Sequence, residues 1–247
     1  CYYISMHNIN YPVKHQYQTT NHNCSQTALS ILLSHYSKNI SVENITSEIS
    51  VGVNNLGEPI GTINQQLATW CIGLGYKVKM YTFDCQVIDQ SWGALYTDAL
   101  IARLDEAKAY RNVAALGAEW SAIYLQSYID FLNARGELII RPYVSSALLY
   151  ALLNNGPLLA CVCFNTLYGT GRSRNTGLRQ SVLDDMHGTT TNHSIVIHGV
   201  TNNGEFVIAD PWEKPGTHTI EPDRMLAAIT AAQIECDNLF FQINTNN

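Results

Sequence analysis

The stretch that decides the reading is Gln18-Thr-Thr-Asn-His-Asn-Cys24-Ser-Gln-Thr-Ala-Leu-Ser-Ile-Leu-Leu-Ser-His-Tyr36, a polar run that turns into an apolar one at its cysteine. Ala28, Ile31, Leu32 and Leu33, with His35 and Tyr36, recur at helical spacing, so 23–36 is predicted to be a helix with one buried stripe. Asn21 and Asn23 are available as caps at its start. Cys24 then stands where free backbone N–H groups and the positive end of the helix dipole favour a thiolate. A lone cysteine at such a place is more often a small buried residue. It becomes a candidate nucleophile only with a proton partner.

That partner is found far downstream. His193-Ser-Ile-Val-Ile-His-Gly-Val200 and Glu205-Phe-Val-Ile-Ala209 are short apolar segments separated by Asn202-Asn203-Gly204, a hairpin turn signal. The hairpin returns Asp210 toward the His193 end, where a carboxylate can fix the imidazole tautomer and stabilise its charged form. Gln18, six residues before Cys24, is close enough for its amide to donate to an oxyanion beside the thiol. Gln16 competes for that part. His22 reads as a loop residue, His187 lies in a polar stretch, and His198 is at an odd offset from His193 and so faces the other side of a strand. Asp210-Pro211 also fits a simple Asx turn. The candidate catalytic set is therefore Cys24, His193, Asp210 and Gln18, with Trp212 as a substrate-binding neighbour.

Composition limits what such a site can serve. The chain has 247 residues, 46% of them hydrophobic and only 14% charged, with a net charge of −6 and no basic stretch. Nucleic acid is a poor partner for that balance, and no apolar run is long enough to span a membrane. A peptide or protein substrate is compatible with that balance. Seven cysteines are present (Cys1, Cys24, Cys71, Cys85, Cys161, Cys163 and Cys236), an odd number, so one at least is unpaired within the chain. Cys161 and Cys163 share a strand face in an apolar run and read as small buried residues rather than a metal pair. No metal or cofactor is expected. Cys1 in place of Met fits either a trimmed chain or a processed N-terminal cysteine, which could itself be a nucleophile. No signal peptide is visible, which leaves the compartment open. Oligomeric state is not legible.

The rest of the chain frames the site. An extended start (2–13) precedes the nucleophile helix; further helices are predicted after Ser41, over 62–74 ended by Gly73 and Gly75, and over 145–154, with a strand at 76–83. Between 90 and 135 two stripes, Trp92 to Leu104 and Trp120 to Tyr128, are separated by Gly117 and suggest a helical insertion or lid. Strands at 158–164, 193–200, 205–209 and 238–243, with a helix near 222–230, make the class α+β: a helical subdomain packed on an antiparallel sheet in a single domain, 1–247. Tyr168-Gly-Thr-Gly-Arg-Ser-Arg-Asn-Thr-Gly177 lacks the ending of a phosphate-binding loop. It reads instead as a flap between two strands, its Arg172, Arg174 and Arg179 available to an acidic substrate group or simply solvated. Asn39, Asn44 and Asn192 begin glycosylation sequons that matter only in a secreting eukaryote.

The Gln18–Tyr36 segment, Gly57 to Leu67, Leu74 to Val78, His193–Gly199 and Val207–Trp212 together resemble the bacteriocin-processing (double-glycine leader) peptidases and their stand-alone relatives, which are papain-like cysteine peptidases. The resemblance covers 11–83 and 145–243. It implies a cleft between helical subdomain and sheet, a Cys24–His193–Asp210 triad with Gln18 at the oxyanion, and no transporter parts. The chain departs from that pattern in Asn23-Cys24-Ser25, where the family has Asp-Cys-Gly, and the 90–135 segment is foreign to it. Losing the glycine is expected to limit close approach of a substrate, which puts cleavage after a double glycine in question. The expected activity is hydrolysis of a peptide or other amide through a thioester; acyl transfer or deamidation by the same chemistry, and a non-catalytic peptide-binding module, are the alternatives.

Overall fold

The computed structural model describes residues 8–53, 59–83, 85, 87–114, 118–177, 180–212, 218–232 and 239–244. Gly117, expected to separate the two helical stripes, Gly57 of the resemblance, Arg179 and Cys1 lie outside the described residues.

After a short strand β1 (Ile9–Asn10), the apolar stripe forms α1 (Cys24–His35), followed by α2 (Val42–Glu48). Ser41 caps α2 as expected, its hydroxyl accepting from the Asn44 N–H. A small two-stranded sheet pairs β2 (Gly52–Val53) with β3 (Pro59–Gly61). Next comes α3 (Asn64–Gly73). It ends in a Schellman motif, with Gly75 at φ +92°, the Gly75 N–H on Ile72 O and the Tyr76 N–H on Cys71 O.

Strand β4 (Lys77–Thr82) leads through a short 3₁₀ turn (Gln90–Ala94) into a helical hairpin, α4 (Thr97–Ala114) and α5 (Ala118–Asn133). The chain returns as β5 (Glu137–Ile140), a strand that lies parallel to β4. The second half runs α6 (Ser146–Leu153), β6 (Leu158–Cys163), a one-turn α7 (Phe164–Tyr168), the hairpin β7 (Ser173–Gly177) and β8 (Gln180–Leu183), then β9 (Asn192–Val200), β10 (Phe206–Ala209), β11 (His218–Ile220), α8 (Pro222–Ala231) and β12 (Leu239–Asn244). The flap expected at 168–177 is thus the end of α7, a short connection and β7, the first arm of a β-hairpin.

The main sheet has the order β11-β10-β9-β6-β12-β4-β5, with β1 added on β9; every pairing except β4–β5 is antiparallel. Helices cover both faces. Leu159, Val196 and Phe241 pack with α1, α3, α4 and α5, while Ala160, Ile195 and Phe240 pack with α6 and α8. Every residue of β6 is therefore buried, which is why its sequence is a continuous apolar run without alternation. The α4–α5 hairpin packs on α3, and Tyr128 donates to Thr82 Oγ1 of β4 at 3.1 Å. Strands β6 and β12 stand between that region and β9.

Candidate active site

The nucleophile candidate is the first residue of α1. Asn23 occupies the N-cap position but makes no side-chain cap bond. Its Oδ1 turns back to accept from the Thr19 and Thr20 N–H groups at 3.2 and 3.1 Å, and its Nδ2 donates to Thr19 Oγ1 at 3.0 Å. This corrects the expected cap: Asn23 shapes the loop before the helix and leaves the first-turn N–H groups to something other than a side chain. Asn21 is no cap either, since its amide donates to Gly177 O (2.8 Å) and Gln180 O (3.1 Å), joining the nucleophile loop to the β7–β8 hairpin.

His193 and Asp210 come together through a register shift. Val207 pairs with Gly199, but Ile208 pairs with Ile197, so His198 is an extra residue in β9. Extending the ladder past Ala209–Val196 sets Asp210 opposite Ile195, on the strand face that His193 shares. Without the bulge Asp210 would fall opposite Val196, on the other face. His193 Nε2 lies 2.6 Å from Asp210 Oδ1. Because an ionised carboxylate only accepts, Nε2 carries the proton and Nδ1 is left for Cys24.

Both members of the pair are buried, His193 at 4% and Asp210 at 0% exposure. Burial pushes the Asp210 carboxyl up, but the His193 charge and hydrogen bond, Tyr168 Oη and the Trp212 N–H outweigh it and hold the group at about 2. Burial likewise works against a charged His193, and Asp210 and Cys24 overcome it, raising the imidazole well above its ordinary value. Burial pushes the Cys24 thiol up; the hydrogen bond and charge of His193, the Ser194 N–H and the Ser25 hydroxyl reverse this and bring it below the ordinary thiol value. The chemistry available here is a thiolate–imidazolium pair.

Ser25 is the residue that departs from the glycine of the resemblance. Its hydroxyl lies 2.8 Å from Ser194 Oγ, with both residues buried, so it ties the residue after Cys24 to the residue after His193. The side chain therefore lies in the α1–β9 interface.

Gln18 is held at the same end of the molecule. Its N–H donates to Pro211 O at 2.9 Å, its Nε2 gives one proton to Thr20 O at 2.7 Å, and the side chain is 2% exposed. An amide nitrogen has a second proton to offer. Gln16 donates to Ser30 Oγ instead. Trp212 is half-buried, and its N–H bonds Asp210 Oδ1 at 2.7 Å. The arginines spend themselves within their hairpin: Arg174 pairs with Asp184 at 3.3 Å and Arg172 bonds the Asp185 carbonyl. His187 is exposed beside Asp184, and His198 contacts Tyr11 O at 3.0 Å, neither near Asp210 by any bond. Tyr168, whose Oη donates to Asp210 Oδ2 at 2.5 Å, was not marked by any pattern in the sequence.

Among the described residues no group of histidine, cysteine and acidic side chains is disposed to hold a metal ion, and no helix is long and apolar enough to cross a membrane.

The model of the Peptidase_C39 like family matches residues 9–230. A solved structure described as a candidate C39-like peptidase from Bacillus anthracis is similar at 11% identity, with 98% of this chain and 100% of that chain covered and a TM-score of 0.46. No curated protein matches the chain. With the family match running from β1 into α8, the chain belongs to the Peptidase_C39 like family and is cysteine-peptidase-like, on an α+β fold of the papain-like kind.

Proposed function

We propose that the chain is a thiol-dependent hydrolase of peptide or other amide bonds. Cys24 attacks the carbonyl carbon, and His193 Nδ1 takes up and then returns the proton. Asp210 orients His193, and the second amide proton of Gln18 with the Cys24 N–H meets the developing oxyanion. The C–N bond breaks as the imidazolium protonates the leaving amine. Water then resolves the thioester. The observation that carries the reading is a buried imidazole with Asp210 at 2.6 Å on one nitrogen and the Cys24 thiol as hydrogen-bond partner of the ring.

The whole chain is read as one catalytic domain, with 90–135 an insertion. Its packing on α3, away from β9, favours a part in completing the core over closing the cleft as a lid. Trp212 is the nearer candidate for substrate contact. Arg172 and Arg174 would first have to leave Asp185 and Asp184 to serve an acidic substrate.

The test is mass spectrometry of a peptide pool incubated with the chain and an added amine. Cleaved peptides are expected from the wild type and from neither Cys24→Ala nor His193→Ala. Turnover surviving in either variant above about 1% of the wild type would move the role elsewhere, and amine adducts without cleavage would favour acyl transfer over hydrolysis.

A further inference from the structure

The stretch Tyr168-Gly169-Thr170-Gly171 closes α7, and that single turn grips the His193–Asp210 pair. Phe164 and Tyr168 are four residues apart, so they share a helix face, and their ring centroids are 4.7 Å apart. The Phe164 ring meets His193 edge-on at 5.5 Å, while Tyr168 Oη donates to Asp210 Oδ2 at 2.5 Å. The turn is pinned on both sides. Asn165 Nδ2 donates to Gly171 O (2.5 Å) and its Oδ1 accepts from the Thr191 N–H (2.9 Å). Gly169 ends it in the left-handed conformation at φ 66°, which suits glycine and releases the chain toward β7.

The carboxylate is thereby divided between two duties. Oδ1 takes His193 and the Trp212 N–H, and Oδ2 takes Tyr168. A donor on a carboxylate binds most strongly when the negative charge is least shared, which is the state in which His193 is neutral. The Tyr168 bond therefore opposes the pull of Asp210 on the imidazole proton.

We propose that Tyr168 is a positioning residue that disperses the Asp210 charge, so that the imidazolium lets go of its proton when the leaving amine needs it. This rests on the Cys24–His193–Asp210 reading above and deepens it. The group that receives the proton is the nitrogen of the breaking C–N bond, and the bond formed is the C–S bond of the Cys24 thioester. The groups facing the pair are Cys24 from α1, Tyr168 from α7 and His15, whose Nε2 lies 2.8 Å from Asp210 O. Cys161 and Cys163 of β6 flank Val162, the partner of His193, and by alternation face the other side of the sheet. The low Asp210 carboxyl agrees: burial raises it, and His193, Tyr168 and the Trp212 N–H bring it down.

The experiment follows the rate of Cys24 alkylation by iodoacetamide against pH in the wild type and in Tyr168→Phe, which keeps the ring against Phe164. With the donor gone, Asp210 holds the imidazolium more firmly, so the alkaline inflection of the profile, where the imidazolium beside the thiolate gives up its proton, should move to higher pH by about half a unit, roughly a threefold change in the equilibrium. Turnover of peptides cleaved by the wild type should fall several-fold in kcat, with KM within about twofold. An alkaline inflection that coincides with the wild type, or that moves to lower pH, overturns the proposal whatever happens to turnover. If wild-type Cys24 is alkylated no faster than the exposed Cys85, the triad reading itself falls and this inference with it. If that selectivity stands and the two inflections coincide, this inference alone fails.

Discussion

Two thiols of the helical layer began with the same chemistry and ended in opposite states. Cys71, in the last turn of α3, is fully buried among Leu67, Ala68 and their neighbours, and burial pushes its thiol up beyond the ordinary range. Cys24, at the first turn of α1, is also pushed up by burial, yet it ends below the ordinary value. The difference lies in what faces the sulfur. Cys71 meets apolar side chains at the end of a helix where the dipole disfavours an anion; Cys24 meets an imidazole, a backbone N–H and a hydroxyl at the end where it favours one. A reactive thiol is therefore made by its partners, and burial alone makes an inert one.

His193→Ala is the largest test of that contrast. It should turn Cys24 into a thiol of the Cys71 kind, with alkylation at neutral pH falling to that of an unactivated cysteine and peptide turnover dropping by about 10²–10⁴-fold. Retained rapid alkylation would mean that the helix end and Ser194 suffice without the imidazole.

Asp210→Asn reaches one residue further back. It should move the acid limb of Cys24 alkylation upward, toward the ordinary thiol range. It should also change acid stability in a defined direction. A carboxyl held at about 2 in the fold contributes stability above its unfolded pKa, about 3.9, and that contribution is lost as pH falls through 2. The wild type should therefore lose on the order of 2 kcal/mol across that window, and the variant should not. Acid unfolding curves of identical shape would remove Asp210 from the account.

Ser25→Ala cuts the bridge to Ser194 at 2.8 Å and should slow alkylation by a few-fold, in keeping with about 1 kcal/mol for one hydrogen bond. Cys71→Ala is the smallest in function. Activity should remain within about twofold while thermal stability falls slightly, by about 1–2 kcal/mol for the lost sulfur contacts. Measured turnover that follows Cys71 rather than Cys24 would invert the comparison.

What the sequence revealed follows from how each feature is encoded. The stripe Ala28–Leu33 is periodic, and Asn202-Asn203-Gly204 is a strong turn, so α1, the β9–β10 hairpin and the meeting of Cys24, His193 and Asp210 were all legible. The bulge at His198 was not, because one unpaired residue leaves no mark on an apolar run in which every position is buried. Strand β5 lies at the sheet edge with half-exposed residues and no alternation, and it escaped notice behind the helical pattern before it. Strands β7 and β8 are exposed throughout most of their length, and Val182 and Leu183 of β8 do not alternate, so no half-buried pattern announced them. Tyr168 acts on a residue 42 positions away through a hydroxyl, a contact that only the folded chain can reveal. The capping role given to Asn23 failed because its amide found the Thr19 and Thr20 N–H groups first.

The most direct measurement is site-resolved iodoacetamide labelling of the native wild-type chain at pH 6, read by mass spectrometry at Cys24, Cys71 and Cys85. The account predicts that Cys24 is modified at least about 100-fold faster than exposed Cys85, because the reagent needs a thiolate and His193 supplies one at Cys24. Buried Cys71 should remain unlabelled. Labelling of Cys24 at or below the rate of Cys85 would contradict the claim that His193 makes it a thiolate.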